Sequence, residues 1–183
     1  ETARPIALFG AALHRVTGDE TYREFTHQTL KPVCEAIRSK DKSLTALQTH
    51  GGGVGIGSII YGLTVAGELL DDGTLLDRAA ETVENTCPEL TERDEMYDVI
   101  GGAAGTVLGL LALYDRRQNE RFVSLATTYG DHLLENRFKS EHGFRVWRTL
   151  SDRPPLNGFG HGVSGIAYAL CRLYSVTNNS KYR

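Results

Sequence analysis

Pro5-Ile-Ala-Leu-Phe-Gly-Ala-Ala-Leu-His-Arg-Val-Thr-Gly-Asp-Glu-Thr-Tyr-Arg23 returns at the far end of the chain as Gly165-Ile-Ala-Tyr-Ala-Leu-Cys-Arg-Leu-Tyr-Ser-Val-Thr-Asn-Asn-Ser-Lys-Tyr-Arg183. Seven of nineteen positions are identical at an offset of 160, without a gap. Each copy reads as an apolar helix, a short polar turn and the start of a second helix. Gly105–Val123 fits the same frame, with Phe122 where Tyr22 and Tyr182 stand. Gly57–Leu75 fits with about one residue inserted. The units therefore begin near residues 5, 57, 105 and 165, a spacing that belongs to helical repeat arrays.

Apolar residues fall at steps of three and four throughout, and alternation of strand type is nearly absent. Tyr22, Phe25, Thr29, Val33 and Ile37 form one stripe; Leu76, Ala79 and Val83 another; Phe122, Leu125, Tyr129 and Leu133 a third. These helices are amphipathic, whereas Val107–Tyr114 and Ile166–Tyr174 are apolar nearly all round and belong inside. Turn signals stand at Thr17-Gly18-Asp19, Asp71-Asp72-Gly73 and Thr177-Asn178-Asn179, and Cys87-Pro88 ends the fourth helix. The pattern predicts helices over 5–17, 21–38, 54–70, 74–86, 103–117, 119–137 and 162–176. Inner apolar and outer amphipathic helices in pairs form two layers. An open solenoid wets its concave face, so apolar inner helices favour a double-layered α/α toroid. Three hairpins and one further inner helix are too few to close a ring. The expectation is an all-α single unit over 1–183 that is part of a toroid, with an uncapped edge open to self-association.

The 183 residues are about one domain's worth of chain, and 40% apolar against 23% charged residues argue against disorder. A net charge of −3 gives no reason to expect nucleic acid as a partner. Cys34, Cys87 and Cys171 are odd in number and form no CxxC pair. They imply neither a disulfide framework nor a metal site and fit a reducing, cytoplasmic compartment. No apolar run approaches the ~20 residues of a membrane span. The chain opens without Met, almost inside a helical pattern, which suggests a piece of a longer protein.

Glycine-rich segments open three inner helices: Gly51-Gly-Gly-Val-Gly-Ile-Gly57, Asp98-Val-Ile-Gly-Gly-Ala-Ala-Gly105 and Gly158-Phe-Gly-His-Gly-Val-Ser-Gly165. In a curved array they meet at one end, and close helix packing is a sufficient reason for the glycines themselves. The third contains a formal G-x-G-x-x-G, but a Pro-Pro loop stands where a dinucleotide site needs a strand. Two polar side chains could do chemistry there. His161 sits at the mouth of an inner helix and offers a general acid/base matched to neutral pH. Asp98, in the preceding unit's loop, could reach and orient it. His14, His27 and His132 read as surface or filler. His50 could point into a cleft, and His142 lies in the 139–157 connection. Trp147 and Phe144 anchor that connection or contact substrate.

Asn157-Gly-Phe-Gly-His-Gly-Val-Ser-Gly-Ile-Ala-Tyr-Ala-Leu170 resembles the G-x-x-H-G-x-x-G segment of lanthionine cyclases, closest to the C-terminal cyclase domain of class II lanthipeptide synthetases (LanM). Tyr97-Asp-Val-Ile-Gly-Gly-Ala-Ala-Gly105 resembles the family's earlier Asp-containing loop. The resemblance covers the whole chain and corresponds to about the first half of that domain. It implies a toroid of helical hairpins whose reaction is Michael addition: a Cys thiol of a ribosomally made precursor peptide adds to dehydroalanine or dehydrobutyrine, closing a thioether ring. It also implies one zinc ion in the full domain, held by two cysteines and a histidine in W-C-x-G-like and C-H-G segments that this chain lacks. This chain alone is therefore expected to bind no zinc and to cyclise no peptide. His161 and Asp98 match family residues that flank the metal and are candidates for proton transfer. A non-catalytic helical-repeat binding module and an α/α-toroid glycosidase are the alternatives, the latter weakened because it uses paired carboxylates and Asp98 is the only carboxylate close to a glycine-loop start.

Overall fold

The computed structural model of the protein describes residues 3–41, 50–86 and 94–183. Helices α1 (Ala3–Thr17), α2 (Glu20–Arg38), α3 (Ile56–Leu69), α4 (Gly73–Thr86), α5 (Ala103–Arg117), α6 (Glu120–Glu135) and α7 (Val163–Thr177) carry the fold. A 3-10 turn, Ser180–Tyr182, comes after them. The observed bounds lie within one or two residues of those the periodicity predicts. Cys87 and Pro88, the expected stop after α4, lie outside the described residues.

Four turns end the apolar helices with one geometry. A residue in the left-handed region stands after each helix: Gly18 (φ 71°), Asp71 (φ 52°), Gln118 (φ 48°) and Asn178 (φ 53°). The next residue caps the second helix of the pair, or the final 3-10 turn. Asp19, Asp72, Asn119 and Asn179 accept the backbone N–H of Thr21, Thr74, Arg121 and Lys181 at 2.8–3.2 Å. A left-handed stop and an Asx cap together turn the chain through a hairpin. This is the physical basis of the sequence repeat. Gln118 hides one copy, because its side chain does not advertise the conformation its backbone adopts.

α1, α3, α5 and α7 lie side by side as the inner layer, and α2, α4 and α6 pack against them from outside. α5 is buried along most of its length, from Ala103 to Leu113. α3 turns Ile56, Ile59, Ile60, Leu63 and Ala66 inward. The outer helices contribute Ala79 and Val83 from α4 and Phe122, Ala126, Tyr129 and Leu133 from α6. The arrangement is part of a double-layered α/α toroid. The concave face is a cleft of about 530 Å³ lined by Tyr61 of α3, Leu108 and Ala112 of α5, and Tyr168 of α7.

The expected stripe on α2 holds at its end, where Ile37 is buried and Val33 packs on the core, but is out of phase at its start: Thr26 and Leu30 are buried there, while Phe25 is exposed. The cause is the crossing with α1. A Cβ on Gly10 would come within 2.7 Å of Thr26 Oγ1 and 2.8 Å of Phe25 Cδ1. At so close an approach a Thr fits the interface and a Phe is pushed to its edge. The 139–157 connection also holds more order than its sequence suggests: Phe138–Lys139 pairs antiparallel with Arg145–Val146 in a short hairpin.

Candidate functional site

The three glycine loops meet at the end of the array where α3, α5 and α7 begin. Gly52 N–H donates to Val99 O at 2.7 Å, and the N–H groups of Gly53 and Val54 both donate to Ile100 O at 3.1 Å. Val99 and Ile100 in turn donate to Gly160 O at 3.1 and 3.2 Å. Loop backbone thus continues from unit to unit. The glycines permit it: a Cβ at Gly105 would overlap Gly52 N and Val99 O, and one at Gly51 would overlap Ile100 O. Main chain occupies the space a side chain would need.

This stitching brings Asp98 and His161 together across 63 residues of sequence. His161 Nδ1–H donates to Asp98 Oδ2 at 2.7 Å. Asp98 is fully buried, and its other oxygen accepts Gly101 N–H at 2.7 Å. Its carbonyl accepts the N–H groups of Gly102 and Gly105 at the start of α5. A carboxylate is an acceptor only, so the bond assigns the imidazole proton to Nδ1 and leaves the Nε2 lone pair available. The His161 side chain is 43% exposed, so the pair has a buried anchor and an accessible face. Its backbone is held as well, since Thr149 Oγ1–H donates to His161 O at 2.6 Å. Tyr97, the residue before Asp98, adopts φ 60°. For a bulky residue that conformation is strained and must be held from outside. The Tyr97 ring packs on His132, with centroids 5.4 Å apart, and its hydroxyl donates to Asn136 Oδ1 at 3.3 Å.

The concave cleft adjoins both loops through Val99, Ile100 and Phe159. Its wall carries the Phe159–Tyr168 ring pair, 5.6 Å between centroids, and the Arg172–Asp115 ion pair at 2.9 Å. Of these residues only Arg172 was marked in the sequence, as the one interruption of the apolar run Ile166–Tyr174; Tyr61 and Tyr168 pass there for parts of apolar inner helices.

A second His–Asp pair lies beside the first. Asp94 is buried; Oδ2 accepts Ala103 N–H at 2.9 Å and Oδ1 accepts Met96 N–H at 3.3 Å, so the residue caps the 94–98 turn and α5 at once. His132 Nε2–H donates to Asp94 O at 3.0 Å and stands 3.6 Å from Oδ2. The Asp94 carboxylate, with its carbonyl, raises the His132 pKa above its ordinary value. His132 is thus neither surface nor filler. Its place next to Leu133 on the edge of the buried stripe was the available signal.

His50 is buried to 1% exposure, and among the described residues neither ring nitrogen has a hydrogen-bond partner. Burial lowers its pKa, opposed by nearby Asp94. It points into packed protein, 6.0 Å from the Tyr129 ring, and does not line the concave cleft. Trp147 is buried and its Nε1–H donates to Leu133 O at 2.6 Å, so it anchors the connection. Phe144, by contrast, is 70% exposed and anchors nothing.

Zinc, which the sequence resemblance implies, needs three or four Cys, His or carboxylate ligands converging on one point. The described residues contain no cluster of three such groups. Cys34 is half-buried on outer helix α2, where burial raises its thiol pKa, and Cys171 is exposed on α7. Cys87 lies outside the described residues. The described side chains therefore do not fit the metal. What the site does present is a buried carboxylate orienting an accessible imidazole beside an aromatic cleft, an arrangement suited to moving protons.

No curated protein matches the chain. The family model described as lanthionine synthetase C-like protein matches residues 4–183, and with the glycine loops, the helical hairpins and the His161–Asp98 pair in place, the chain belongs to that family.

Proposed function

We propose that this chain forms the proton-handling half of a lanthionine cyclase of the class II type, acting on a ribosomally made, dehydrated precursor peptide. The observation that carries the reading is the 2.7 Å bond from His161 to the buried Asp98. Michael addition moves one proton overall. The sulfur of a peptide Cys loses it, the S–C bond forms at the β-carbon of a dehydroalanine or dehydrobutyrine, and the π electrons pass to the carbonyl as an enolate. The enolate α-carbon then takes up a proton. The balance closes on a single site that accepts and returns a proton, a role we assign to His161 Nε2 because the ring is accessible and anchored by Asp98. Asp98 keeps the ring in the Nδ1–H tautomer and stabilises the imidazolium when Nε2 is loaded. Zinc, if held elsewhere in the full cyclase, would favour the thiolate form of the attacking Cys; the work assigned to this chain's own residues is orientation and proton transfer.

The test uses the enzyme that carries this chain and a dehydrated precursor peptide. His161→Ala and Asp98→Asn are expected to slow ring closure by about 10²–10⁴-fold, the usual cost of losing a general acid/base. Dehydration of the precursor and the thermal midpoint are expected to change little for His161→Ala, whose side chain is partly exposed. Ring closure at the parental rate in a folded His161→Ala variant would refute the assignment and reduce the pair to a loop tether.

A further inference from the structure

The connection between α6 and α7 carries a charge pattern that the net value of −3 conceals. Within residues 137–153, Arg137, Lys139, Arg145, Arg148 and Arg153 face only Glu141 and Asp152, a local excess of three positive charges that leaves the rest of the chain at −6. Among the described residues, none of these five cations forms an ion pair. Elsewhere several cations are matched, as in Arg116–Glu68, Arg117–Asp77 and Lys181–Asp131, and those left without an ion pair among the described residues are scattered along the chain, as Arg15, Arg38 and Arg121 are.

Arg145 and Arg148 share a groove of about 880 Å³ with Phe138, Phe144 and Pro154. Among the described residues Glu141 is the single carboxylate on its lining. The Arg148 guanidinium lies 5.9 Å over the Phe138 ring. The groove is held rigid by Trp147 in the core and by Thr149 on the His161 carbonyl. It ends at Asn157 and Val163, the residues that bracket the His161 loop. Exposed aromatics beside unpaired arginines are the side chains that most often anchor a bound chain, and a rigid hairpin lets them do so without an ordering cost.

We propose that this groove docks an acidic, extended segment of the peptide substrate and delivers the adjoining chain to the His161–Asp98 pair. The inference rests on the reading of a peptide substrate given above. Its positive lining selects an acidic segment. The concave, aromatic shape suits one polypeptide strand, and the negative remainder of the surface repels a long polyanion.

The experiment measures fluorescence anisotropy of a short fluorescein-labelled peptide of alternating Glu and Leu, titrated with the full-length protein. Binding is expected to weaken by about tenfold or more in the double variant Arg145→Glu/Arg148→Glu, and comparably when Gln replaces Glu in the peptide. Arg15→Glu on α1 is expected to leave it unchanged. The thermal midpoint of the double variant should match the parent, since both arginines are exposed. Equal binding of the Gln peptide, equal loss with Arg15→Glu, or no binding at all would overturn the proposal. So would tighter binding of a single-stranded RNA or of phosphatidylserine vesicles, which would reassign the patch to a different macromolecule. Ring closure is assayed separately: binding without cyclisation would count against the proposed function alone, and cyclisation without binding against the groove alone.

Discussion

His50 is a residue whose neutral form the fold requires. Among the described residues both ring nitrogens are enclosed without partners, so protonation would place in the core a charge that nearby Asp94 offsets only in part. Its folded pKa is depressed, and the unfolded chain therefore binds the proton first. Stability is complete above the ordinary value of 6.5 and is lost as pH falls below it, by up to about 1.4 kcal/mol per pH unit. His132 acts in the opposite sense: Asp94 raises its folded pKa, so its contribution is present at low pH and fades as pH rises through that value. Urea denaturation of His50→Leu between about pH 5 and 7.5 is expected to show a flatter acid limb than the parent. Stability at neutral pH should be equal or higher, because an unsatisfied polar group has been removed. An unchanged acid limb would show that another group governs it.

At the level of elements, the loops and inner helices succeed because main chain can touch main chain. Gly105, in the first turn of α5, abuts Gly52 N and Val99 O, both rigid backbone atoms. Gly105→Ala is expected to cost about 3 kcal/mol or more by forcing the first and second loops apart. Because Val99 and Ile100 also bind Gly160, the damage should reach the His161 loop and appear as slower ring closure. Gly158 is the contrast, with open space where its Cβ would be. Gly158→Ala is expected to change stability by less than about 0.5 kcal/mol. Thermal or urea midpoints of the two variants compared side by side decide the point; equal effects would mean that the glycines serve flexibility rather than packing.

Across the whole molecule, neighbour contacts rank the helices. α3 and α5 have inner-layer neighbours on both sides, whereas α1 leaves Ile6, Phe9 and Val16 exposed. Stability in a repeat array is close to a sum of unit and interface contributions, so helices with fewer packed neighbours open first. Native-state hydrogen exchange is expected to show amides of α5 exchanging only through global unfolding, and those of α1 and α2 through a smaller opening. Uniform protection along the chain would sink this ranking and show that the loop network makes the array a single cooperative unit.

Whatever depends on short stretches of chain could be read without coordinates. Helical period, turn residues and glycine placement act within a few residues, so Pro5–Arg23 and its copies disclosed the hairpins, the two layers and the common end at which the loops gather. The same locality made His161 and Asp98 visible as candidates, since each stands conspicuously in a glycine loop. Features that join distant parts of the chain were settled by packing. The phase of α2 was set by the crossing at Gly10, which no stripe in α2 records. The Asp94–His132 pair joins residues 38 apart whose types are ordinary at their positions. Trp147 and Phe144 looked alike in one connection, yet one is core and the other groove. Periodicity reports which face of an element is apolar; only packing reports what that face meets and which polar groups are left to meet one another.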